Sequence, residues 1–318
     1  MQAVGMNKSL DQDLVVIMES ASKASPIDPQ IPLQMTYGLL AGLLMGAGII
    51  YLLHRFDDKI NSPLELQDTI ESPVLGQIPL VRPDKETKRV PLITEDDLRH
   101  EYLEQFRSIR SAVLFHTLEA QPPRSLMISS AAPGEGKSTL AANLASVFAH
   151  AGTRTLLIDA DLRRGVQHQL FDQPLSPGLS DYLQGEVAWP DLVRPTSVAN
   201  LDLITRGAVP RRPGDLFLNV LADQLLRESL AAYDIVLWDT APLLAANDAA
   251  NLCAKMEGIL FVARIRHTPA SALHTALGDL AQKHAKILGV ILNAVEPSQP
   301  GCYGRYRYSE YYSKPVEA

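Results

Sequence analysis

The chain holds 318 residues, 46% apolar and 20% charged, a balance that excludes disordered, collagenous and coiled-coil proteins and leaves room for about two domains. Its 29 Lys and Arg stand against 36 Asp and Glu, a net charge of −7, so there is no overall positive field for nucleic acid, which is not expected as a partner. Two cysteines, Cys253 and Cys302, without metal-ligand spacing exclude a disulfide scaffold and a zinc module and suit a reducing compartment.

Residues 1–32 are polar and carry Asp11, Asp13 and Glu19, unlike a cleavable signal with its basic start and small-residue end. From Leu33 to Leu53 runs LQMTYGLLAGLLMGAGIIYLL, without a formal charge. As a helix it is about 31 Å long, enough to cross a bilayer core. Tyr37 and Tyr51 lie near its ends, and Gly38, Gly42 and Gly46 recur at four-residue spacing, a flat strip suited to a second membrane helix. A buried core helix is the competing reading. Arg55 and Lys59 follow the span and Lys23 precedes it, which places the C-terminal side in the cytoplasm.

Residues 54–97, with Pro63, Pro73, Pro79, Pro83 and Pro91 widely spaced, read as an extended juxtamembrane linker. At Thr94 a capping residue and acidic first turn open a run in which Leu98, Tyr102, Phe106 and Val113 keep helical spacing up to Pro122. Short apolar runs follow at 125–130, 155–160, 201–205, 234–239, 258–263 and 287–293. Helical periods separate them, such as Leu140, Leu144, Val147 and Phe148, then Leu216, Val220, Leu221 and Leu225. Strands buried on both faces and alternating with helices predict an α/β domain over 98–296, a mostly parallel sheet flanked by helices. Residues 297–318 form a tail too poor in core-forming residues to fold on its own.

The strand at 125–130 runs straight into SSAAPGEGKSTLAANLA. A Gly-rich turn between a buried strand and a helix points backbone N–H groups at phosphate, and the helix terminus adds partial positive charge. Pro133, Gly134, Glu135, Gly136, Lys137, Ser138 and Thr139 are therefore the candidate nucleotide-binding residues. Lys137 supplies a point charge for the terminal phosphates and the Ser138 hydroxyl suits magnesium. The loop departs from the strict pattern at Ala131, where a Gly is usual; Ala fits there if its backbone is not left-handed. Two further strands end in acid on the same side. Asp159 and Asp161 lie two apart, so an extended chain turns both carboxylates one way, and Asp239 closes DIVLWD. Asp159, Asp239 and Ser138 are the candidate magnesium set, and Lys137, Asp159, Asp161 and Asp239 the candidate catalytic one.

LLIDADLRRG, DIVLWDTAPLL and AAPGEGKST together resemble the bacterial tyrosine kinases that accompany exopolysaccharide and capsule export, and the likeness extends from about Val15 to the chain end. It implies a P-loop nucleotide-binding fold of the deviant type, ATP and Mg2+ as cofactors, and a place in the inner membrane with the kinase domain in the cytoplasm. It implies that Lys137 and Ser138 belong to Walker A, Asp159 and Asp161 to a second Walker-type motif, Asp239 to Walker B, and that Asn293 recognises adenine. Glu104, Arg107 and Arg110, at three-residue steps on one helix, match a subunit-contact motif that builds a ring. Five of the ten tyrosines fall in the last sixteen residues: Tyr303, Tyr306, Tyr308, Tyr311 and Tyr312. The family reading makes them phosphoacceptors, modified between neighbouring copies. It further implies the polysaccharide polymerase and export machinery and a tyrosine phosphatase as partners.

The chain also departs from the family. Gly165 stands where Pro usually follows the paired Arg, and Arg212, Pro213, Gly214 and Asp215 replace an Asn-Pro segment. Related co-polymerases carry a first membrane helix and a large outer domain, whereas 32 residues precede the span here. The expectation is a fragment of such a protein or a chain that works with a separate membrane activator. Two other readings compete. A partitioning-type P-loop ATPase would carry a signature Lys where this chain has Ala132. A non-catalytic scaffold setting polysaccharide length would bind nucleotide without turnover. In the kinase reading, full ground-state transfer of a phenolic proton (pKa about 10) to an ordinary Asp (about 3.9) is uphill by roughly 8 kcal/mol. Asp159 is therefore expected to orient the hydroxyl and take its proton late.

Overall fold

The structure is a computed structural model and describes residues 31–56, 58–70, 72–84, 89–115 and 121–296. The chain divides into two units, 1–57 and 58–318. In the first, helix α1 (Ile31–Phe56) contains a 19-residue stretch, Gln34–Leu52, of mean hydropathy 1.7 with no part buried. Leu39, Leu43, Leu44 and Ile50 are all exposed, and the space over Gly38, Gly42 and Gly46 is open. By length and composition α1 is able to cross a membrane.

The second unit is built on an eight-stranded sheet: β1 (Val74–Pro79), β2 (Ser125–Ser130), β3 (Thr155–Ala160), β4 (Arg194–Pro195), β5 (Leu201–Ile204), β6 (Ile235–Thr240), β7 (Gly258–Arg264) and β8 (Ile287–Val295). Their order is β1-β8-β7-β2-β6-β3-β5-β4, parallel throughout except for the two-residue edge strand β4. The helices are α2 (Pro63–Thr69), α3 (His100–Phe115), α4 (Lys137–His150), α5 (Gln167–Leu170), α6 (Leu179–Leu183), α7 (Trp189–Leu192), α8 (Pro213–Leu216), α9 (Val220–Ala232), α10 (Asn247–Leu252) and α11 (Ala270–Gln282).

Successive strand residues feed opposite cores, as a two-residue period requires. Leu126, Ile128, Leu157, Leu237 and Leu260 pack with α3 and α4 on one face. Met127, Leu156, Ile158, Trp238 and Phe261 pack with α9 and α11 on the other. Both faces are covered, so β2, β3 and β6 are buried along their whole length.

The described residues within 54–97 do not form an extended linker, and the expectation drawn from their prolines is corrected. Ser62 caps α2, whose Leu66 is fully buried, and β1 adds a parallel edge strand to β8. Ile60, Ile78 and Ile93 are core residues. Pro79 is tolerated because an edge strand leaves one row of its backbone groups unpaired. Gly76 lets α3 close on β1, since a Cβ there would lie 2.5 Å from Ile109 Cγ1. α3 begins only at His100, and Leu98, expected on its buried face, is exposed.

Candidate nucleotide site at the carboxyl ends of the strands

β2 delivers the chain to the loop and α4 carries it away, so the loop lies beyond the carboxyl ends of the central strands, where open α/β sheets bind ligands. Gly134 and Gly136 take left-handed backbones, φ 82° and 89°. A Cβ on Gly136 would also fall 2.1 Å from Asn293 Nδ2, so this position admits only glycine. Ala131 has no positive φ, which is why it can stand where the strict pattern has Gly.

The outer wall of the loop is tied to the β7–α11 connection and the end of β8. Arg264 Nη1 donates to Gly134 O at 2.9 Å, His267 Nε2 to Pro133 O at 3.0 Å and Asn293 Nδ2 to Glu135 O at 2.8 Å. The buried Glu135 carboxylate accepts from Ala132 N at 2.9 Å and from the Thr268 hydroxyl, which itself accepts from Arg264 N at 2.8 Å. A trans peptide sets its N–H opposite its C=O, so carbonyls held outward leave N–H groups for the concave face.

The other wall is acidic and under-satisfied. Asp159 and Asp239 are register partners on β3 and β6, and both are fully buried. Asp159 Oδ2 accepts from Gln167 N at 3.0 Å, and Asp239 Oδ2 from Gln167 Nε2 at 2.8 Å. The Oδ1 atom of each has no partner. Burial, and then the Asp239 charge, push the Asp159 carboxyl well above the usual range. Burial also raises Asp239, while Lys137, Gln167 and the Ser138 hydroxyl pull it back. Gly165 makes room for this arrangement, because a Cβ there would lie 2.1 Å from Asp159 Oδ1.

Asp161 plays a separate part. Its Oδ1 accepts from Arg164 N at 2.9 Å within the turn after β3, and its Oδ2 lies 3.5 Å from Lys137 Nζ. Asp159 is thus paired across the strands with Asp239, whose charge weighs more on it than that of Asp161 on its own strand. Lys137 lies against Asp161, and its charge also lowers the proton affinity of Asp239. A cleft of about 770 Å³ opens here, lined by Lys137, Ser138, Asp161, Arg164 and Arg211, with Val209 and Pro242 as apolar wall. Arg163 closes one side through a 2.7 Å ion pair to the buried Asp248 on α10.

Of the other residues singled out in the sequence, Thr139 sits in the first turn of α4 with its carbonyl bonded to Asn143 Nδ2 at 2.9 Å. Asn293 lies beneath the loop, with its amide on the Glu135 carbonyl. Glu104 and Arg107 pair at 2.5 Å on α3, while Arg110 donates to Val147 O at 2.9 Å. Tyr303, Tyr306, Tyr308, Tyr311 and Tyr312 lie outside the described residues. Sequence reasoning missed Gln167, Arg264, His267 and Thr268, which sit at no recognisable motif spacing.

Two buried carboxylates side by side, each with an unpartnered oxygen, are a donor set that could hold a cation. Among the described residues no group of three or more His, Cys, Asp and Glu forms a self-sufficient metal cage. That suits magnesium, which is commonly held by one or two carboxylates together with substrate phosphates and water.

Fold and loop define a P-loop nucleotide-binding domain: residues 126–303 match the CobQ/CobB/MinD/ParA nucleotide binding domain family. Among proteins, tyrosine-protein kinase YwqD of Bacillus subtilis is 39% identical over 203 residues, covering 64% of this chain and 85% of that protein. Putative tyrosine-protein kinase EpsB of Ralstonia nicotianae is 32% identical over 311 residues, 91% of this chain but 40% of that protein. Among solved structures, the kinase domain of Escherichia coli tyrosine kinase ETK aligns with TM-score 0.65 at 32% identity, covering 74% of this chain and 95% of that one. The chain belongs to the bacterial tyrosine-protein kinase family, and it spans about two fifths of the length of longer relatives such as EpsB.

Proposed function

We propose that this chain is an ATP- and Mg2+-dependent protein-tyrosine kinase that phosphorylates its own C-terminal tyrosines, Tyr303, Tyr306, Tyr308, Tyr311 and Tyr312. The observation that carries the reading is the buried Asp159–Asp239 pair, with one open oxygen each, beside Lys137 and the Ser138 hydroxyl. In the transfer, the tyrosine oxygen forms a bond to the γ-phosphorus of ATP as the bond to ADP breaks. The phenolic proton passes to Asp159 and from there to solvent. Burial raises the proton affinity of Asp159, which narrows the gap to the phenol and favours its role as a late acceptor. Lys137 balances charge at the terminal phosphates. Asp159, Asp239 and Ser138 would hold magnesium, which would supply neutralisation of the phosphate charge. Asn293, at the end of β8, recognises the adenine.

The wider reading places the chain in the inner membrane through α1, with the kinase in the cytoplasm. Copies assemble as a ring through Glu104, Arg107 and Arg110, phosphorylate one another's tails, and act with polysaccharide polymerisation and export machinery, a membrane activator and a tyrosine phosphatase. Each phosphate adds about −1.5 to −2 charge, so a fully modified tail repels its neighbours and loosens the ring. The test is intact-mass and peptide mass spectrometry after incubation with Mg-ATP. Successive phosphate additions mapping to 303–312, absent from Lys137→Met, are expected. ATP turnover without added mass would favour the ATPase reading, and nucleotide binding without turnover the scaffold.

A further inference from the structure

The residue that joins the two walls of carboxylate to the loop is neither an acid nor a base. Gln167 opens the four-residue helix α5 and is fully buried. Its backbone N–H donates to Asp159, and the two N–H groups of its amide are both spent, one on Asp239 Oδ2 at 2.8 Å and one on the Ser138 carbonyl at 2.9 Å. One residue thereby ties β3, β6 and the first turn of α4. Its remaining polar atom, Oε1, is buried and unpartnered, like Asp159 Oδ1 and Asp239 Oδ1.

We infer that Gln167 is a positioning residue of the magnesium–nucleotide site: its backbone N–H engages one oxygen of Asp159 and its carboxamide one oxygen of Asp239, which leaves the other oxygen of each carboxylate open. The inference rests on the reading of this site as a magnesium–nucleotide centre. The physical reason lies in the choice of side chain. A carboxylate alone among acceptors would rotate freely between its two oxygens, and a neighbouring cation such as Lys or Arg would neutralise the acids and compete with a metal. An amide donates without charge, so it fixes orientation and leaves the negative charge in place. From this one residue the backbone N–H serves Asp159 while the side-chain N–H groups reach Asp239 and Ser138.

Two substitutions test this in the full chain in detergent. Gln167→Met keeps the volume and the backbone donor but removes the amide. Gln167→Glu keeps the shape and replaces the donors with a further acceptor. ADP affinity is measured by calorimetry in EDTA and again with magnesium, beside melting temperature and steady-state turnover. For Gln167→Met the affinity in EDTA should stay within about twofold of wild type, while the magnesium-dependent gain falls roughly 10- to 100-fold, the usual loss on removing a metal-orienting partner. Turnover should fall and KM for Mg-ATP should rise as the magnesium-dependent gain is lost, and Gln167→Glu should lose at least as much. The inference is overturned if both variants keep the wild-type magnesium-dependent gain. It is equally overturned if they lose affinity in EDTA and melting temperature in step, which would make Gln167 a packing residue only. Should Gln167→Met fail to fold, Gln167→Glu carries the same readings. Wild-type protein with a magnesium-dependent gain but no phosphotyrosine would remove the kinase reading and leave this inference standing.

Discussion

The two walls of the phosphate loop are built to opposite rules. On the side of β7 and β8, donors and acceptors close on each other: Arg264, His267 and Asn293 hold three loop carbonyls, and Thr268 and Ala132 fill the Glu135 carboxylate. On the side of β3 and β6, two carboxylates and one amide each keep an unmet oxygen in the interior. The satisfied wall is scaffolding, whose loss costs stability. The unsatisfied wall holds unfavourable energy in the ligand-free protein, which a bound cation would release under the proposed function, so its neutralisation should stabilise the fold while ending the chemistry.

The sharpest way to break this contrast is Asp159→Asn. Phosphotyrosine formation should fall by at least about 100-fold, the lower end of the range for losing an acid–base group. Ligand-free stability should rise at pH 7–8, by about 1–3 kcal/mol or several degrees of melting temperature, because an uncompensated buried charge is gone. The sign follows from the raised carboxyl of Asp159. The native state binds its proton more tightly than the unfolded chain, so stability is lost as pH climbs from about 4 through the folded-state value. Melting curves of wild type and variant between pH 4 and 8 should therefore diverge upward, with the variant flatter. A variant that melts lower than wild type at pH 8 would erase the distinction between the walls.

The converse change is Thr268→Val, which removes one donor from the buried Glu135. Melting should fall by the equivalent of about 1–3 kcal/mol, with turnover reduced less than tenfold. A smaller effect is expected from Arg264→Ala. Its bond to Gly134 O is open to solvent. The loss should stay near 0.5–1.5 kcal/mol, seen as a shift of a few degrees and a modest rise in KM for ATP.

Much of the sheet and half of the site were legible in the linear chain. The six apolar runs correspond to β2, β3, β5, β6, β7 and β8 because strands buried on both faces need continuous apolar residues, and the loop signals itself through glycines whose backbones require φ above zero. The acidic strand ends were legible for the same reason, each lying where a buried run stops. β1 was not. VLGQIP is short, carries Gly76 and Gln77 and lies between prolines, so it passes for linker until β8 offers it a ladder and Ile109 fills the space over Gly76. The supporting wall and Gln167 were invisible too, since Thr268 lies 133 residues from Glu135 and Gln167 lies 72 from Asp239.

Two apolar helices show where the division falls. α1 and the body of α4 are both nearly free of charge, and local composition suffices to make each a helix with an apolar surface. Composition also suffices to place phosphate-binding glycines before Lys137 and to end three strands in acid. What surrounds each group was left to packing: α4 from Leu140 to Ala149 is buried against β2, β3 and β6, whereas Leu39, Leu43 and Ile50 of α1 are exposed. Likewise, only the crossing of distant strands sets Asp159 beside Asp239 and hands both to Gln167. Periodicity and backbone preference act over a few residues and are written locally, but desolvation and hydrogen-bond satisfaction depend on neighbours that the fold alone brings together.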